Sequence, residues 1–348
     1  MNLLLIFGGS STEHEISRAS CGNIYDSLDK SKYTVHLIYI TRQGEWKYLS
    51  DPTVPTIKRG NLEGRRVVLS PDTSDRGIVL LDTLETIKID CIFPVLHGKN
   101  GEDGTIQGLF ELARIPYVGC DVLSSANSMD KSLTKIIVKG EGVQQSPYVL
   151  ILANNYEENV KIKEIESVFA YPVFVKPSSS GSSVGVTKAT NQDELKEAIV
   201  FAFKYDKKVI VEKFVQGREV EVAVIGNEKP VASITGEIRT NTDFYSFDSK
   251  YIGSNSQVII PAEITEKTSE VIRQRAIKVY KTLGCRGLAR VDFFVTPDEQ
   301  VIFNEINTMP GFTNISMYPK LFENMGISYS KLLDKLIEFA LKRGDDIG

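Results

Sequence analysis

Residues that build thiolate, imidazole or membrane chemistry are scarce in this sequence. Three histidines and four cysteines occur in 348 residues. Cys21, Cys91, Cys120 and Cys285 are scattered, with no C-x-x-C and no neighbouring histidine. That spacing argues against a zinc site or a disulfide framework, fits a reducing cytoplasm, and makes each thiol a buried small hydrophobe. No apolar run approaches the ~20 residues of a transmembrane helix. Met1-Asn-Leu-Leu-Leu-Ile-Phe begins apolar but has no basic flank and runs into Gly8-Gly9, so it reads as a first strand rather than a signal peptide. The formal net charge of -4 gives no electrostatic footprint for nucleic acid or an anionic membrane. The lysines from Lys204 to Lys208 are interrupted by Asp206 and read as a solvated face. There is no internal repeat and no low-complexity tract.

The remaining composition, 42% hydrophobic and 25% charged, is that of an ordinary globular chain, long enough for two or three domains. Strands and helices alternate at the start. Residues 3–7 form a short apolar strand, Gly8 to Thr12 a tight loop, and a helix opens with Thr12 as N-cap and Glu15 closing a capping box. Residues 33–39 and 91–96 are further strands, separated by a polar excursion over 50–80. This is the βαβ grammar of a parallel sheet, ending near 116–130. A second unit holds a helix over 131–142, a strand over 172–176, a Ser/Gly-rich loop, a helix over 191–205 and a strand over 208–215. A third begins with the period-two strand 219–225 and ends in a helix over 328–343. Residues 236–257 are polar, aromatic and irregular, the pattern of a functional lid.

The chemistry concentrates near the end. Arg290-Val-Asp292-Phe-Phe-Val and Val301-Ile-Phe-Asn304-Glu305-Ile-Asn307 read as two strands joined by the turn Thr296-Pro-Asp-Glu-Gln300. Alternation puts Arg290 with Asp292 on one face, and Glu305 with Asn307 on one face. If the strands pair, two carboxylates, an amide and a guanidinium converge, a hard oxygen set suited to Mg²⁺ and substrate phosphates. Val175-Lys176-Pro177-Ser-Ser-Ser-Gly181-Ser182-Ser183-Val-Gly185 is a lysine-ended strand with a small-residue loop that can bring N–H groups to phosphate. It is not a Walker A loop, since no G-K-[ST] follows. Glu212-Lys213-Phe214 ends another strand, placed to meet a ribose and adenine. His97, at a strand end among glycines, reads as functional, because ligands in open α/β sheets bind there; His36, in mid-strand, reads as structural.

Together these stretches resemble the D-alanine–D-alanine ligase family of the ATP-grasp superfamily. The ordered set comprises Gly8-Gly9 with Glu13-His-Glu-Ile-Ser17, His97-Gly with Gly101-Glu-Asp-Gly104, and Met129-Asp-Lys131. It continues through Lys176-Pro with Gly181-Ser-Ser-Val-Gly185, Glu212-Lys213, Phe244-Tyr-Ser-Phe-Asp-Ser-Lys250-Tyr251, Arg290-Val-Asp292 and Asn304-Glu305-Ile-Asn307-Thr-Met-Pro310-Gly311-Phe-Thr. Essentially the whole chain is covered. The resemblance implies an α/β, three-domain ATP-grasp architecture: a Rossmann-like substrate domain (1–128), then two α+β domains that clasp ATP, a central one (129–215) and a catalytic one (216–348) with the lid 236–257. It implies that ATP phosphorylates the carboxylate of one D-alanine and that a second amino acid's amine attacks the acyl phosphate, giving a D,D-dipeptide for the cell wall.

Roles implied by the resemblance follow position by position. Asp292, Glu305 and Asn307 hold two Mg²⁺ (or Mn²⁺) ions. Lys131, Lys176 and Ser183 meet the phosphates, Glu212 and Glu219 the nucleoside, and the backbone near Lys213 and Phe214 the adenine. Lys250 reaches the transferred phosphate. Glu13, assisted by His97, binds the first ammonium; Ser182 and Tyr251 close the site with Glu13; Arg290 and the Gly311 amide form the oxyanion hole. Ser316 and Met317 belong to the second-substrate pocket. Lys250-Tyr251 favours an amine nucleophile over D-lactate, and an apolar Met317 favours D-alanine. The segments Pro94-Val-Leu-His-Gly-Lys-Asn-Gly and Val118-Gly-Cys-Asp121 keep D-serine open. The family also implies a homodimer. A different carboxylate–amine ligase or carboxylase of the superfamily has no reason to carry Glu13 with Ser182 and Tyr251, and a regulatory nucleotide-binding module would tolerate loss of Arg290 or Asn307.

Overall fold

A computed structural model describes residues 1–240 and 256–346. They form three sheets. The first has seven strands in the order Thr86–Lys88, Gly77–Leu80, Arg65–Leu69, Trp46–Leu49, Thr34–Ile40, Asn2–Gly8 and Cys91–Val95. Only the last three run parallel to one another. Asn2–Gly8 lies between two parallel neighbours, and Leu3 to Phe7 are all fully buried, as a strand covered on both faces requires. The polar excursion expected over 50–80 contains two strands, Arg65–Leu69 and Gly77–Leu80, and a short helix, Val54–Arg59; successive antiparallel pairings extend the sheet from 46 to 88. These strands are three to five residues long, too short for their alternation to stand out. The first helix, His14–Ser27, begins one residue after Glu13, and its cap makes no side-chain hydrogen bond. The capping box expected from Thr12 and Glu15 is therefore not formed; Glu13 occupies the cap, and its carboxylate is engaged elsewhere.

The second sheet is antiparallel, in the order Thr187–Ala189, Val173–Pro177, Lys208–Lys213, Tyr148–Leu152. Helices Glu158–Val168 and Gln192–Ala202 cover it through Ile162, Ile165, Leu195 and Ile199, in a core of its own. The third sheet, also antiparallel, is ordered Ser256–Ile259, Val231–Thr240, Arg218–Ile225, Leu288–Val295, Val301–Asn307. Here the lid expectation is corrected at both ends: residues 236–240 and 256–257 are paired strand, with Glu237 opposite Ile259 and Arg239 opposite Gln257. Residues 241–255, including Lys250 and Tyr251, lie outside the described residues.

One face of the third sheet is covered by helix Glu266–Thr282, where Ile272, Ala276 and Val279 meet Val220, Val222 and Phe293. The other face shares a core with the first sheet. Ala223, Ile238 and Leu288 join Leu5, Phe7 and Phe93 through Met309, Phe312, Met317 and the C-terminal helix Tyr329–Asp346. Met317 packs inside this core, where a Cβ added at Gly236 would lie 2.5 Å from its sulfur. Phe312 is the fastener. Its ring meets Phe93 edge-on, its N–H donates to Ser20 Oγ at 3.0 Å, and its carbonyl accepts from Asn23 Nδ2 and the Tyr329 hydroxyl. Ser20→Ala leaves the buried Phe312 N–H without its acceptor, which costs about 1–3 kcal/mol. Urea unfolding should show that loss; an unchanged midpoint would mean the contact is replaceable.

Candidate active site

The two strands pair as a hairpin, as expected. Arg290 lies opposite Asn307 and Asp292 opposite Glu305, with a bulge immediately after Asp292. The turn closes where expected, Thr296 N–H donating to Gln300 O at 3.0 Å. Arg290 makes a two-pronged bond to its neighbour on the same face, Nε to Asp292 Oδ1 at 2.8 Å and Nη2 to Oδ2 at 2.7 Å. Its Nε also lies 3.1 Å from Glu221 on the adjoining strand. The guanidinium is thus fixed in plane by two buried carboxylates. Asp292, Glu305 and Asn307 supply two carboxylates and an amide oxygen with no nitrogen or sulfur donor, a set that fits Mg²⁺. Among the described residues no group of three His, Cys, Asp or Glu is placed to hold a metal ion.

Beside the hairpin, between the second and third sheets, is a cavity of about 580 Å³. Lys131, Lys176, Ser183, Glu212, Lys213, Phe214, Glu219 and Glu305 all line it, so eight of the expected residues are brought together. Lys131 donates to Ser180 O at 2.7 Å and lies 3.4 Å from Glu305. Lys176 sits 2.6 Å from Glu212 and 3.4 Å from Asn304 Oδ1. Phe214 stacks toward Phe174, and the Lys188 ammonium lies 5.1 Å from its ring. Asp130 caps the helix Lys131–Gly140 and also accepts from Ser178 Oγ at 2.6 Å, so that helix and the Ser/Gly loop are fastened together.

Glu212, expected at the nucleoside, lines the cavity and is at the same time paired with lysines. Its carboxylate is buried and held between Lys176 and Lys135, the latter at 2.7 Å. Burial alone would raise its pKa, but the two ammonium groups prevail and hold it at about 2. Lys135, itself buried, is lowered by desolvation and by the Lys176 charge despite Glu212, whereas burial of Lys176 is outweighed by Glu212 and its pKa is raised. Sequence reasoning missed Lys135. Its signal was the spacing from Lys131, four residues on along one helix face. Arg218, Glu237 and Arg239 also line the cavity unforeseen, the first on the strand Arg218–Ile225 and the other two on Val231–Thr240.

A second cluster surrounds Glu13. The Ser182 hydroxyl donates to Glu13 Oε1, and Cβ atoms built at Gly98 and Gly181 would each lie 3.1 Å from Oε2. Two segments distant in sequence therefore converge on the Glu13 carboxylate. Ser182 and Ser183 have φ of 50° and 59°, a left-handed conformation that non-glycine residues adopt where surrounding structure holds them. His97 is buried; its Nδ1 donates to Met309 O at 2.9 Å, and Nε2 has no described partner. Burial lowers its pKa against the opposing pull of Glu13. Glu102, given no role from the sequence, accepts from Gly98 N–H at 2.6 Å and Met309 N–H at 3.2 Å. Gly311 lies against Ser316, whose Oγ accepts from Thr313 N–H at 3.0 Å.

A depressed folded pKa at Glu212 gives stability that is present above about pH 4.5 and is lost as pH falls toward about 2. Glu212→Gln leaves two buried lysines unpaired and should cost roughly 3–5 kcal/mol at neutral pH. In urea titrations across pH, the gap between variant and wild type should shrink below about 4.5. A gap independent of pH would contradict the ion-pair account.

Two family models match the chain: D-ala D-ala ligase N-terminus over residues 2–120, and D-ala D-ala ligase C-terminus over residues 137–338. A D-alanine--D-alanine ligase from Acetivibrio thermocellus is 48% identical, covering 99% of this chain and 96% of the relative. The VanG D-Ala:D-Ser ligase structure from Enterococcus faecalis is 41% identical with a TM-score of 0.89, covering 97% of this chain and 99% of that one. The D-alanine-D-alanine ligase structure from Coxiella burnetii is 36% identical with a TM-score of 0.86, covering 99% and 96%.

Proposed function

The chain belongs to the D-alanine–D-alanine ligase family, and from that premise we propose how its residues divide the work of an ATP-dependent ligase that makes a D,D-dipeptide for peptidoglycan. The observation that carries the reading is a lysine-walled cavity that takes in Glu305, opposite Asp292 in the hairpin, and Ser183, next in sequence to the Ser182 that bonds Glu13. Polyanion, carboxylate and amine each have a complementary surface there.

In the first step a carboxylate oxygen of D-alanine attacks the γ-phosphorus of ATP. A P–O bond to the acyl group forms, the bond to ADP breaks, and the poor electrophile becomes an acyl phosphate. Lys131 and Lys176 face the phosphates, with Ser183 in the adjoining loop; a positioned cation is worth most where water is excluded. Glu13 receives the first ammonium, with His97 beside it. Glu212 acts by keeping Lys176 charged and aimed, and Glu219 and the strand end at Lys213 and Phe214 border the nucleoside. Asp292, Glu305 and Asn307 would hold Mg²⁺, which neutralises phosphate charge as a Lewis acid. In the second step the incoming amine attacks the acyl carbon. Arg290 and the Gly311 N–H stabilise the tetrahedral oxyanion, which collapses with loss of phosphate. Lys250 and Tyr251 complete the site in the family's pattern, Tyr251 with Ser182 and Glu13. Ser316 borders the second-substrate subsite, and Met317, packed beneath it, acts through its bulk. We carry the division at 1–128, 129–215 and 216–348, the homodimer and the cytoplasmic location as parts of the same proposal; among the described residues no helix is long and apolar enough to cross a membrane.

For the second substrate we favour D-alanine, the amino acid in the name of the relative at 48% identity. D-serine is the competing reading, because a D-Ala:D-Ser ligase structure superimposes at a TM-score of 0.89. An apolar pocket distinguishes methyl from hydroxymethyl by only ~10²-fold. Phosphate release from ATP should require D-alanine alone, with the homodipeptide found by mass. A mixed D-Ala-D-Ser product dominating when both amino acids are supplied would reverse the assignment.

A further inference from the structure

The backbone of Met309 is held at both its N–H and its carbonyl by one loop of the first sheet. Its N–H is shared between Glu102 Oε1 at 3.2 Å and Asn307 Oδ1 at 3.1 Å. Its carbonyl accepts from His97 Nδ1 at 2.9 Å. The loop supplying the grip is itself closed on Glu102. Oε2 takes the Gly98 N–H at 2.6 Å, and the Glu102 N–H returns to Gly98 O at 2.9 Å. Gln107 Nε2 then fixes Gly101 O at 2.7 Å. Gly101 has no room for a side chain, since a Cβ there would meet the Leu96 backbone at 2.7 Å.

Glu102 is an expensive way to brace a loop. It is buried, and the Arg290 charge only partly offsets the cost of ionising it there. Burial, reinforced by the Glu13 charge, raises its pKa to about 8. An apolar side chain would fill the space without that desolvation cost. What only a carboxyl group can do here is accept two N–H bonds from two different loops.

We infer that Glu102 is a positioning residue for the ligase reaction: by holding the Met309 N–H it sets the Met309-Pro310-Gly311 segment, and thereby the Gly311 amide, relative to His97 and the first amino acid. The inference rests on the functional reading above. Its physical link is Pro310, whose ring fixes φ and leaves few torsions to absorb a change between Met309 and Gly311. Because His97 and Glu102 hold the two peptide groups that flank the Met309 Cα, losing either releases the same residue.

The test uses the full chain, with steady-state rates of ATP-dependent dipeptide formation and a separate measurement of ADP binding. Glu102→Gln should lower kcat by roughly 10- to 100-fold, the scale of a small misplacement of reacting groups, and leave the ATP KM and ADP binding unchanged. Glu102→Asp, too short to span both loops, should do the same and carries the test if the glutamine variant does not fold. In a double-mutant cycle with His97→Ala, the combined loss should be smaller than the product of the two single losses. Wild-type kcat in the folded variants, losses confined to the ATP KM, or strictly multiplicative losses would each overturn the inference. A wild-type protein that makes no dipeptide would instead overturn the ligase reading, leaving the two failures distinct.

Discussion

A cavity walled by lysines must keep them charged while excluding the water that would otherwise solvate them. Glu212 meets that requirement. Placed between Lys135 and Lys176, it is held ionised, and it keeps Lys176 cationic at the cavity wall. The arrangement has little latitude, because removing Glu212 leaves two ammonium groups uncompensated out of water. It also propagates: Lys176 reaches Asn304 and Lys131 reaches Glu305, so the charges that order the second sheet touch the hairpin of the third.

The contacts joining the three sheets differ in kind. First and third sheets are welded by an apolar core running from Leu5 and Phe93 through Phe312 to Leu288. The second sheet has a separate core, and its Ser/Gly loop and cavity edge meet the rest through Ser182–Glu13, Lys131–Glu305 and Lys176–Asn304. Apolar packing sets a fixed geometry for groups that must align in a transition state, including Arg290 and Gly311 in the proposed mechanism. Polar contacts between short side chains and lysines are the ones an entering polyanion can compete with directly. The proposed nucleotide cavity lies on that polar seam.

Much of this was legible from residues. The hairpin could be recognised because Phe, Val and Ile flank both strands and a polar turn separates them, and strand periodicity then fixes which side chains share a face. The same periodicity does not report depth. Glu219 and Glu221 alternate on one strand, yet only the structure shows Glu221 buried against Arg290. Lys135 drew no notice and Glu102, though part of the Gly101–Gly104 motif, was given no role, for a related reason: each is buried through partners distant in sequence, Glu212 and Met309. The antiparallel extension at 46–88 escaped because its strands are short and half exposed. Thr12 looked like a helix cap by local composition, but the convergence of Gly98, Gly181 and Ser182 on Glu13 decides that turn.

The central claim is that this arrangement of charge serves transfer of a phosphoryl group to a carboxylate. It is tested most directly by following oxygen through the reaction. D-alanine carrying a heavy oxygen isotope in its carboxylate should deliver one labelled oxygen to inorganic phosphate for each dipeptide formed. Label absent from phosphate and recovered in a nucleotide would mean that the carboxylate is activated at another phosphorus, and would contradict the account.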